Sequence, residues 1–424
     1  MITRRDLLRG GAAALATLAA PHVARAAPAR VVVVGGGFGG ATAARQLRRL
    51  APEIAVTLVD PAPRFVTCPF SNLVLAGLRN IGSISHDFAA LERLGITRVQ
   101  AAAREIDQSG RRLVLADGSA LPYDRLVLSP GVDMRWDALE GYDEAAASLA
   151  PHAWKAGEQT LLLRRQLEAL EDGGLVVMTV PDNPYRCPPG PYERVGLIAH
   201  YLKTARPRAK ILVLDAKDAF SKKALFQEGW KALYGDMVEW IGQADDGAVV
   251  RVDAARREAV TAFGTVHKAA VLNVIPPQQA GAIARRAGLT DASGWVPVKP
   301  ESFAARQGEH IHVVGDATQA APMPKSGFCA SGQGRLASAA IAAELGGRPA
   351  PRPAWMNTCY SLVGPDYGIS VADVYRVAEG RIATVPGAGG VSPLGADSAF
   401  RAAEARFAGG WYDAITADIW GPRR

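Results

Sequence analysis

Residues 29–50 read ARVVVVGGGFGGATAARQLRRL, and the fold is decided here. Four successive valines, Val31 to Val34, have the uninterrupted apolar character of a strand buried on both faces. Gly35-x-Gly37-x-x-Gly40 follows at once and opens a helix. Gly35 makes the tight turn, Gly37 lets backbone approach a pyrophosphate, and Gly40 allows helix and strand to pack closely. An anion would rest on the free N–H groups of the helix start. A second strand, AVTLVD, ends at Asp60, twenty residues past Gly40, where a carboxylate can hold a ribose 2′-hydroxyl. Strand, glycine turn, helix, strand and acid together indicate a dinucleotide site.

Two distant segments choose the dinucleotide. LPYDRLVLSPGV (121–132) is a short strand closing on Pro130-Gly131, and EHIHVVGDA (309–317) is an apolar strand ending at Gly315-Asp316. In this order they resemble the signatures of flavoproteins with two dinucleotide domains, and the resemblance implies FAD with Asp316 on its ribityl chain. Between them lie GGLVVMTVP (173–181) and AKILVLDA (209–216), two strands flanking a helix around YERVGLIAHYLKTA (192–205). The turn after the first of these strands is proline-rich and lacks a GxGxxG. Prolines have no N–H to offer a pyrophosphate, so this half is not expected to bind a pyridine nucleotide.

The expected fold class is α/β. Two Rossmann-like, glutathione-reductase-like units are followed by a C-terminal α+β section. The expected boundaries are 27–150 for the first part of the FAD domain, 151–270 for the second unit, 271–345 for the return, and 346–424 for a flavin-proximal interface domain. The Pro/Gly-rich LGGRPAPRPAW (345–355) serves as the linker into it.

The first 26 residues read as a removable export signal. Arg4-Arg5 is a twin-arginine pair, an Ala-rich run from Gly10 to Ala20 is too short to span a bilayer, and Ala24-Arg25-Ala26 fits a small-x-small cleavage site. The twin arginines point to the Tat route and a bacterial periplasm, where disulfides persist. The net charge of the whole chain is only +7, and the signal carries four arginines against one aspartate. The mature chain is therefore mildly basic, which argues against nucleic acid as its main partner. No later apolar run reaches the length of a membrane span.

YERV after RCPPGP (186–195), HAWKAGEQT (152–160), NVIPPQQAG (273–281), PMPKSGF (322–328) and NTCYSLVGPDYGISV (357–371) resemble one family along essentially the whole mature chain. That family is the flavoprotein subunit of flavocytochrome c sulfide dehydrogenase. The resemblance implies that Cys68, in Thr67-Cys68 followed by Ser71-Asn72, carries FAD covalently as a thioether. It implies that Cys187 and Cys359 form a disulfide over the flavin, with Glu193 a proton acceptor beside it. It further implies oxidation of sulfide to sulfur or polysulfide, with electrons passing through FAD to a c-type cytochrome on another chain. The chemistry is consistent, since HS⁻ attacks a disulfide sulfur and displaces a thiolate.

Four cysteines allow three pairings, so spacing alone leaves the connectivity open, and a Cys187–Cys359 bond could equally be a structural staple. Cys329, in KSGFCASGQG, stands where the family is expected to carry a small hydroxylated residue. It reads as a buried thiol packing like a small apolar side chain, with an alternative partner for Cys187 or a third redox sulfur as the other readings. The histidines, among them His200, His310 and His312, lack metal-ligand spacing, and no CxxCH for c-type haem occurs. His312 reads as packed within its strand. Two other functions remain open. One is a sulfide:quinone oxidoreductase; those attach to membranes through C-terminal amphipathic helices. The tail GGWYDAITADIWGPRR does place Trp411, Ile415 and Ile419 on one helical face, but without a basic polar face it is expected to pack on the protein or its partner. The other is a non-catalytic flavoprotein assisting a thiosulfate-oxidising complex.

Overall fold

The computed structural model describes residues 27–350 and 352–422; the expected export signal at 1–26 lies outside the described residues. Strand β1 (Arg30–Val34) is followed by helix α1 (Phe38–Leu50) and strand β2 (Ala55–Val59), then by a short helix α2 (Ser71–Leu75). Strands β3 (Thr97–Val99) and β4 (Arg125–Leu128) extend the same sheet. β1 pairs in parallel with both β2 and β4, and Val31 to Val34 are almost wholly buried, as a central parallel strand requires. The glycine turn is built as its spacing implies. Gly35 has φ +95°, and its N–H donates to the Val59 carbonyl at 2.8 Å. A Cβ on Gly40 would overlap the Gly35 carbonyl oxygen, so only glycine lets α1 start this close to β1.

The second unit comprises β5 (Leu175–Val180), α3 (Gly190–Ala205), β6 (Lys210–Asp215), α4 (Lys223–Tyr234), β7 (Val238–Ile241) and β8 (Val271–Val274). Its sheet is parallel throughout, in the order β7-β6-β5-β8. The expected boundary at 270 therefore falls one strand early. Val271–Val274 pair with Val176–Thr179, and the burial of all four on the second sheet holds them there.

The chain returns in β9 (Ile311–Val313), which pairs with the free edge of β4 and completes the first sheet as β9-β4-β1-β2-β3. His312 lies buried in this strand with Nδ1 3.0 Å from the Ser302 carbonyl, a packed residue as expected. Helix α5 (Gly327–Leu345) then lies against α1 at a crossing of small residues. A Cβ on Gly334 would overlap the Gly39 carbonyl, and Ser338 Oγ donates to Ala43 O at 2.9 Å.

The C-terminal section is an antiparallel hairpin, β10 (Ala354–Gly364) and β11 (Tyr367–Ala378), with β12 (Arg381–Thr384) beside it and a long helix α6 (Ser398–Trp420). Asp397 caps α6 by accepting from Phe400 N at 2.7 Å. Its buried residues Arg401, Glu404, Ala408, Tyr412, Thr416 and Ile419 recur at three- and four-residue intervals. The tail face seen in the sequence thus packs on the protein: Ile419 is fully buried and Ile415 partly so. α6 reaches the dinucleotide turn, where Trp420 Nε1 donates to Gly36 O at 3.2 Å and its ring stacks on Phe65. Among the described residues no helix is long and apolar enough to cross a membrane.

One contact of α6 bears directly on Cys68. The hydroxyls of Tyr412 and Thr67 lie 2.8 Å apart, and His86 Nε2 is 3.2 Å from the same Tyr412 oxygen. All three side chains are buried. Tyr412→Phe should cost about 1–3 kcal/mol, because it removes a partner from buried polar groups that water cannot reach. The check is a lowered thermal midpoint of the flavin-loaded protein, with Thr416→Val in the next turn as a comparison.

Candidate active site

Three loops and one strand converge on a single cavity. Cys68 enters just before α2, Cys187 just before α3, Ser326 to Phe328 at the start of α5, and Thr358 to Tyr360 from β10. Ala408 and Trp411 of α6 and Trp154 complete the wall, so residues from both Rossmann-like units and the C-terminal section are needed to enclose it. Cys68, Cys187, Cys359 and Glu193, drawn from distant parts of the chain, all line this one space. All four cysteines are free thiols in the structure.

Each cysteine is held by its backbone. Ser71 accounts for Cys68: its N–H and hydroxyl donate to the Cys68 carbonyl at 3.0 and 2.7 Å. Cys187 takes a left-handed conformation, φ 56°, with its N–H on Lys325 O and its carbonyl receiving Gly190 N, both at 2.8 Å. Cys359 sits mid-strand opposite Val371. Glu193, in the first turn of α3, accepts from Asn72 Nδ2 at 2.8 Å and from Leu362 N at 2.9 Å. It therefore joins α2, α3 and β10 across the site.

Burial pushes the Glu193 carboxyl above its ordinary value, against the opposing donors Leu362 N–H and Asn72. A carboxyl shifted toward neutrality is suited to exchanging a proton. Burial also raises both thiols. For Cys187 the shift is large and is reinforced by Cys359 and Glu193; for Cys359 the Lys222 ammonium opposes it. Arg194 is 2 % exposed and donates to Asn72 Oδ1, His152 O, Ala153 O and Asn273 Oδ1. Burial lowers it to about 9, so it keeps its charge at neutral pH. Arg186, which donates to Trp154 O, and Lys325 also line the cavity. Positive charge dominates the enclosure, which favours a small anion within it.

The residues present fit an FAD. Among the described residues Asp316 Oδ1 is buried without a hydrogen-bond partner, and Asp316 lines a second cavity that shares Lys325 and Ser326 with this one. The indole N–H groups of Trp154 and Trp411, both lining the cavity, are likewise unpartnered. Asp60 closes the glycine turn, accepting from Gly36 N at 2.6 Å and from Ala62 N at 2.9 Å. It thus braces the turn in addition to any bond with a ribose. A Cβ on Gly37 would press on the Phe65 ring at 3.1 Å, so the turn has no room for a side chain there. Gly315 has φ +81°, which presents its N–H to Gln333 Oε1 at 2.7 Å and sets the direction of Asp316.

The second unit is closed where a related fold would hold a ribose. Asp215, at the end of β6, is fully buried; Lys217 Nζ lies 2.6 Å from Oδ1, while Tyr192 OH and Trp240 Nε1 donate to Oδ2 at 2.6 and 3.0 Å. Phe220 stacks on Tyr192 at 3.4 Å. Pro188, Pro189 and Pro191 strip N–H donors from the start of α3, and Cys187 O takes the Gly190 N–H. NADH added to the flavin-loaded protein should therefore leave its visible absorbance unchanged over minutes; bleaching would contradict a closed site.

Cys329 behaves as the small apolar residue expected. It is 2 % exposed, burial pushes its thiol up to about 12, and its Sγ rests 3.4 Å from Asn357 Oδ1. The sequence reading missed Arg194, Trp154 and Lys222. Arg194 stood beside Glu193 in the YER motif, where two adjacent charges at a helix start were a usable signal. Lys222, in FSKKALF, gave none.

Family models match the chain in three stretches. Residues 160–276 match the central part of "Sulfide dehydrogenase [flavocytochrome c] flavoprotein chain". Residues 351–420 match "Flavocytochrome c sulphide dehydrogenase, flavin-binding". Residues 29–164 match the pyridine nucleotide-disulphide oxidoreductases. Over 45 residues the chain is 71 % identical to the sulfide dehydrogenase flavoprotein chain of Chlorobaculum thiosulfatiphilum, covering 11 % of this chain and 94 % of that sequence. The mitochondrial sulfide:quinone oxidoreductase of Mus musculus is 24 % identical over 68 % of this chain, and the match spans 65 % of that enzyme's length. The sulfide:quinone oxidoreductase structure from Aquifex aeolicus superposes with a TM-score of 0.71 at 19 % identity, covering 93 % of this chain and 92 % of that one. The shared architecture confirms the α/β, two-unit fold. The chain belongs to the family of the flavoprotein chain of flavocytochrome c sulfide dehydrogenase.

Proposed function

We propose that this chain oxidises hydrogen sulfide, using a Cys187–Cys359 disulfide as the group that sulfide attacks and FAD joined to Cys68 as the resident cofactor. The convergence of Cys68, Cys187, Cys359 and Glu193 on one cation-lined cavity carries this reading. FAD supplies the chemistry of accepting an electron pair and releasing electrons singly. The chain's own residues do the rest. Arg186, Arg194 and Lys325 draw HS⁻ inward, and their charge favours the hydrosulfide anion over H₂S. HS⁻ attacks one sulfur of the disulfide; a new S–S bond forms as the Cys187–Cys359 bond breaks, leaving one persulfide and one thiolate. Glu193 takes the persulfide proton, and its raised pKa strengthens it as the base for that transfer. Trp154 and Trp411 narrow the enclosure and limit water.

The proposed electron acceptor is a c-type cytochrome on a separate chain, and the proposed location is the periplasm. The full-length similarity of fold to a sulfide:quinone oxidoreductase favours quinone as the second reading. Purified flavin-loaded protein, mixed anaerobically with sulfide, should bleach in the visible and then reduce an added oxidised c-type cytochrome. Bleaching followed by reduction of a soluble quinone alone would select the second reading. Absence of bleaching with an intact disulfide would overturn sulfide oxidation and favour an auxiliary role.

A further inference from the structure

Lys222 is a buried ammonium that the reaction as described leaves unused. It precedes α4 in a left-handed conformation, φ 63°, and is 9 % exposed. Its Nζ donates to Cys359 O at 3.0 Å and to Ser361 Oγ at 2.9 Å. Both acceptors are neutral, and among the described residues no carboxylate forms an ion pair with it. A buried cation without a counter-ion is costly unless something anionic comes near it. Four ionisable groups face it: Cys359 from β10, Glu193 from α3, Cys187 from the loop before α3, and Glu404 from α6. Glu404 is already engaged by Ser370 and Ser392 at 2.6 and 2.7 Å and by Arg401 at 3.7 Å. Glu193 is engaged by Asn72 and Leu362. The donors to Glu193 are neutral, so Lys222 faces that carboxyl and the two sulfurs together, with Cys359 acting on it most strongly.

We propose that Lys222 is a positioning residue of the sulfide reaction, holding the Cys359 strand and stabilising anionic sulfur on Cys359. This rests on the disulfide reading above. When HS⁻ opens the Cys187–Cys359 bond, Cys359 emerges in one of two forms. It is the displaced thiolate if Cys187 is attacked, or it carries the deprotonated persulfide if it is attacked itself. In both cases a negative charge that the disulfide lacked appears on the residue whose carbonyl Lys222 grips. Among the described residues Lys222 is the one cation that bears on Cys359, whereas Lys222 and Arg186 both bear on Cys187. The helix start after Cys187 is stripped of N–H donors by three prolines, and the Gly190 N–H is spent on the Cys187 carbonyl. Placing negative charge on Cys359 is therefore opposed by Glu193 and favoured by Lys222.

The test uses full-length, flavin-loaded protein opened with a phosphine reductant and freed of it. Iodoacetamide labelling of Cys359 is followed by peptide mass spectrometry from about pH 6 to about pH 10, spanning the ordinary thiol range. Lys222→Met should move the labelling midpoint upward and cut labelling at about pH 8 roughly tenfold, the equivalent of one unit of thiol pKa. Lys222→Arg should restore it to within about threefold, since the charge is kept. Ser361→Ala removes a hydrogen bond from the same lysine but leaves the charge, so its profile should follow the unmodified protein. An unshifted profile in Lys222→Met, or an equal shift in Ser361→Ala, would overturn the proposal and leave Lys222 a structural tie. Counting thiols in the unmodified protein before and after sulfide tests the disulfide reading separately. A count that does not change sinks that reading whatever the labelling profile shows.

Discussion

Replacing Cys68 by serine should leave FAD bound to the native protein but release all of it on denaturation. The parts that would hold the cofactor without a covalent bond are elsewhere: the glycine turn after β1, Asp60 bracing it, and Asp316 with its buried Oδ1. None of them touches Cys68. The cysteine's own setting suits the proposed tether. Its carbonyl is fixed by Ser71, the preceding Thr67 is fixed by Tyr412 of α6, and its Sγ, 3.6 Å from Trp154 O, faces the cavity. A serine hydroxyl is a far weaker nucleophile than a thiolate, so the substitution removes the bond while keeping the shape. Acid precipitation followed by flavin fluorescence of pellet and supernatant measures the effect. The covalent fraction should fall from nearly all to nearly none, a change of at least about a hundredfold by the same difference in nucleophilicity. Cys329→Ser is the companion, expected to keep its covalent flavin because its thiol is buried against Asn357. Flavin that stays with denatured Cys68→Ser protein, or leaves denatured unmodified protein, would end the tether proposal.

The glycine turn was readable because backbone geometry dictates residue type there: a left-handed Gly35 and a Gly40 pressed on its carbonyl admit nothing else. The closure of the second unit around Asp215 was half readable. Prolines announced the missing N–H donors, but the filling of the ribose position by Lys217, Tyr192 and Trp240 depends on which rings fold over Asp215. Spacing carries no trace of such packing. The site cysteines came together in the reading only through resemblance to a family, since β10 and the loop before α3 are joined by tertiary contacts alone. Lys222 was invisible for a related reason. A lysine beside another lysine ordinarily sits in solvent, and only the descent of β10 onto α4 buries this one. The boundary at residue 270 failed because β8 looks like any apolar strand; its neighbours, not its composition, assign it to the second sheet.

Serine at Cys187 or at Cys359 should lower sulfide-driven reduction of the protein by at least about a thousandfold, the scale on which removing one member of a catalytic unit acts. Reduction by dithionite, which needs no disulfide, should be unaffected. Either single variant should be as slow as the double variant, because a disulfide is lost whole when one sulfur is lost. The staple reading makes the opposite forecast. A bond closing so long a loop would contribute ~5 kcal/mol through the chain entropy of the unfolded state. Its loss would then appear in denaturant midpoints while sulfide turnover per folded molecule stayed normal. The surroundings favour the first outcome. A staple gains nothing from a carboxyl raised toward neutrality, from cations lining the adjoining cavity, or from a lysine on the neighbouring carbonyl. Stopped-flow bleaching by sulfide and urea unfolding, measured on the same preparations, separate the two. Fast bleaching by either serine variant would show that sulfide delivers its electrons without the cysteine pair. Glu193→Gln refines the choice. It keeps side-chain volume and the acceptor at Leu362 N, sets an NH2 against Asn72 Nδ2, and cannot hold the persulfide proton. Reduction of the protein by sulfide should therefore slow with the disulfide still intact, whereas a purely structural pair would give no such slowing.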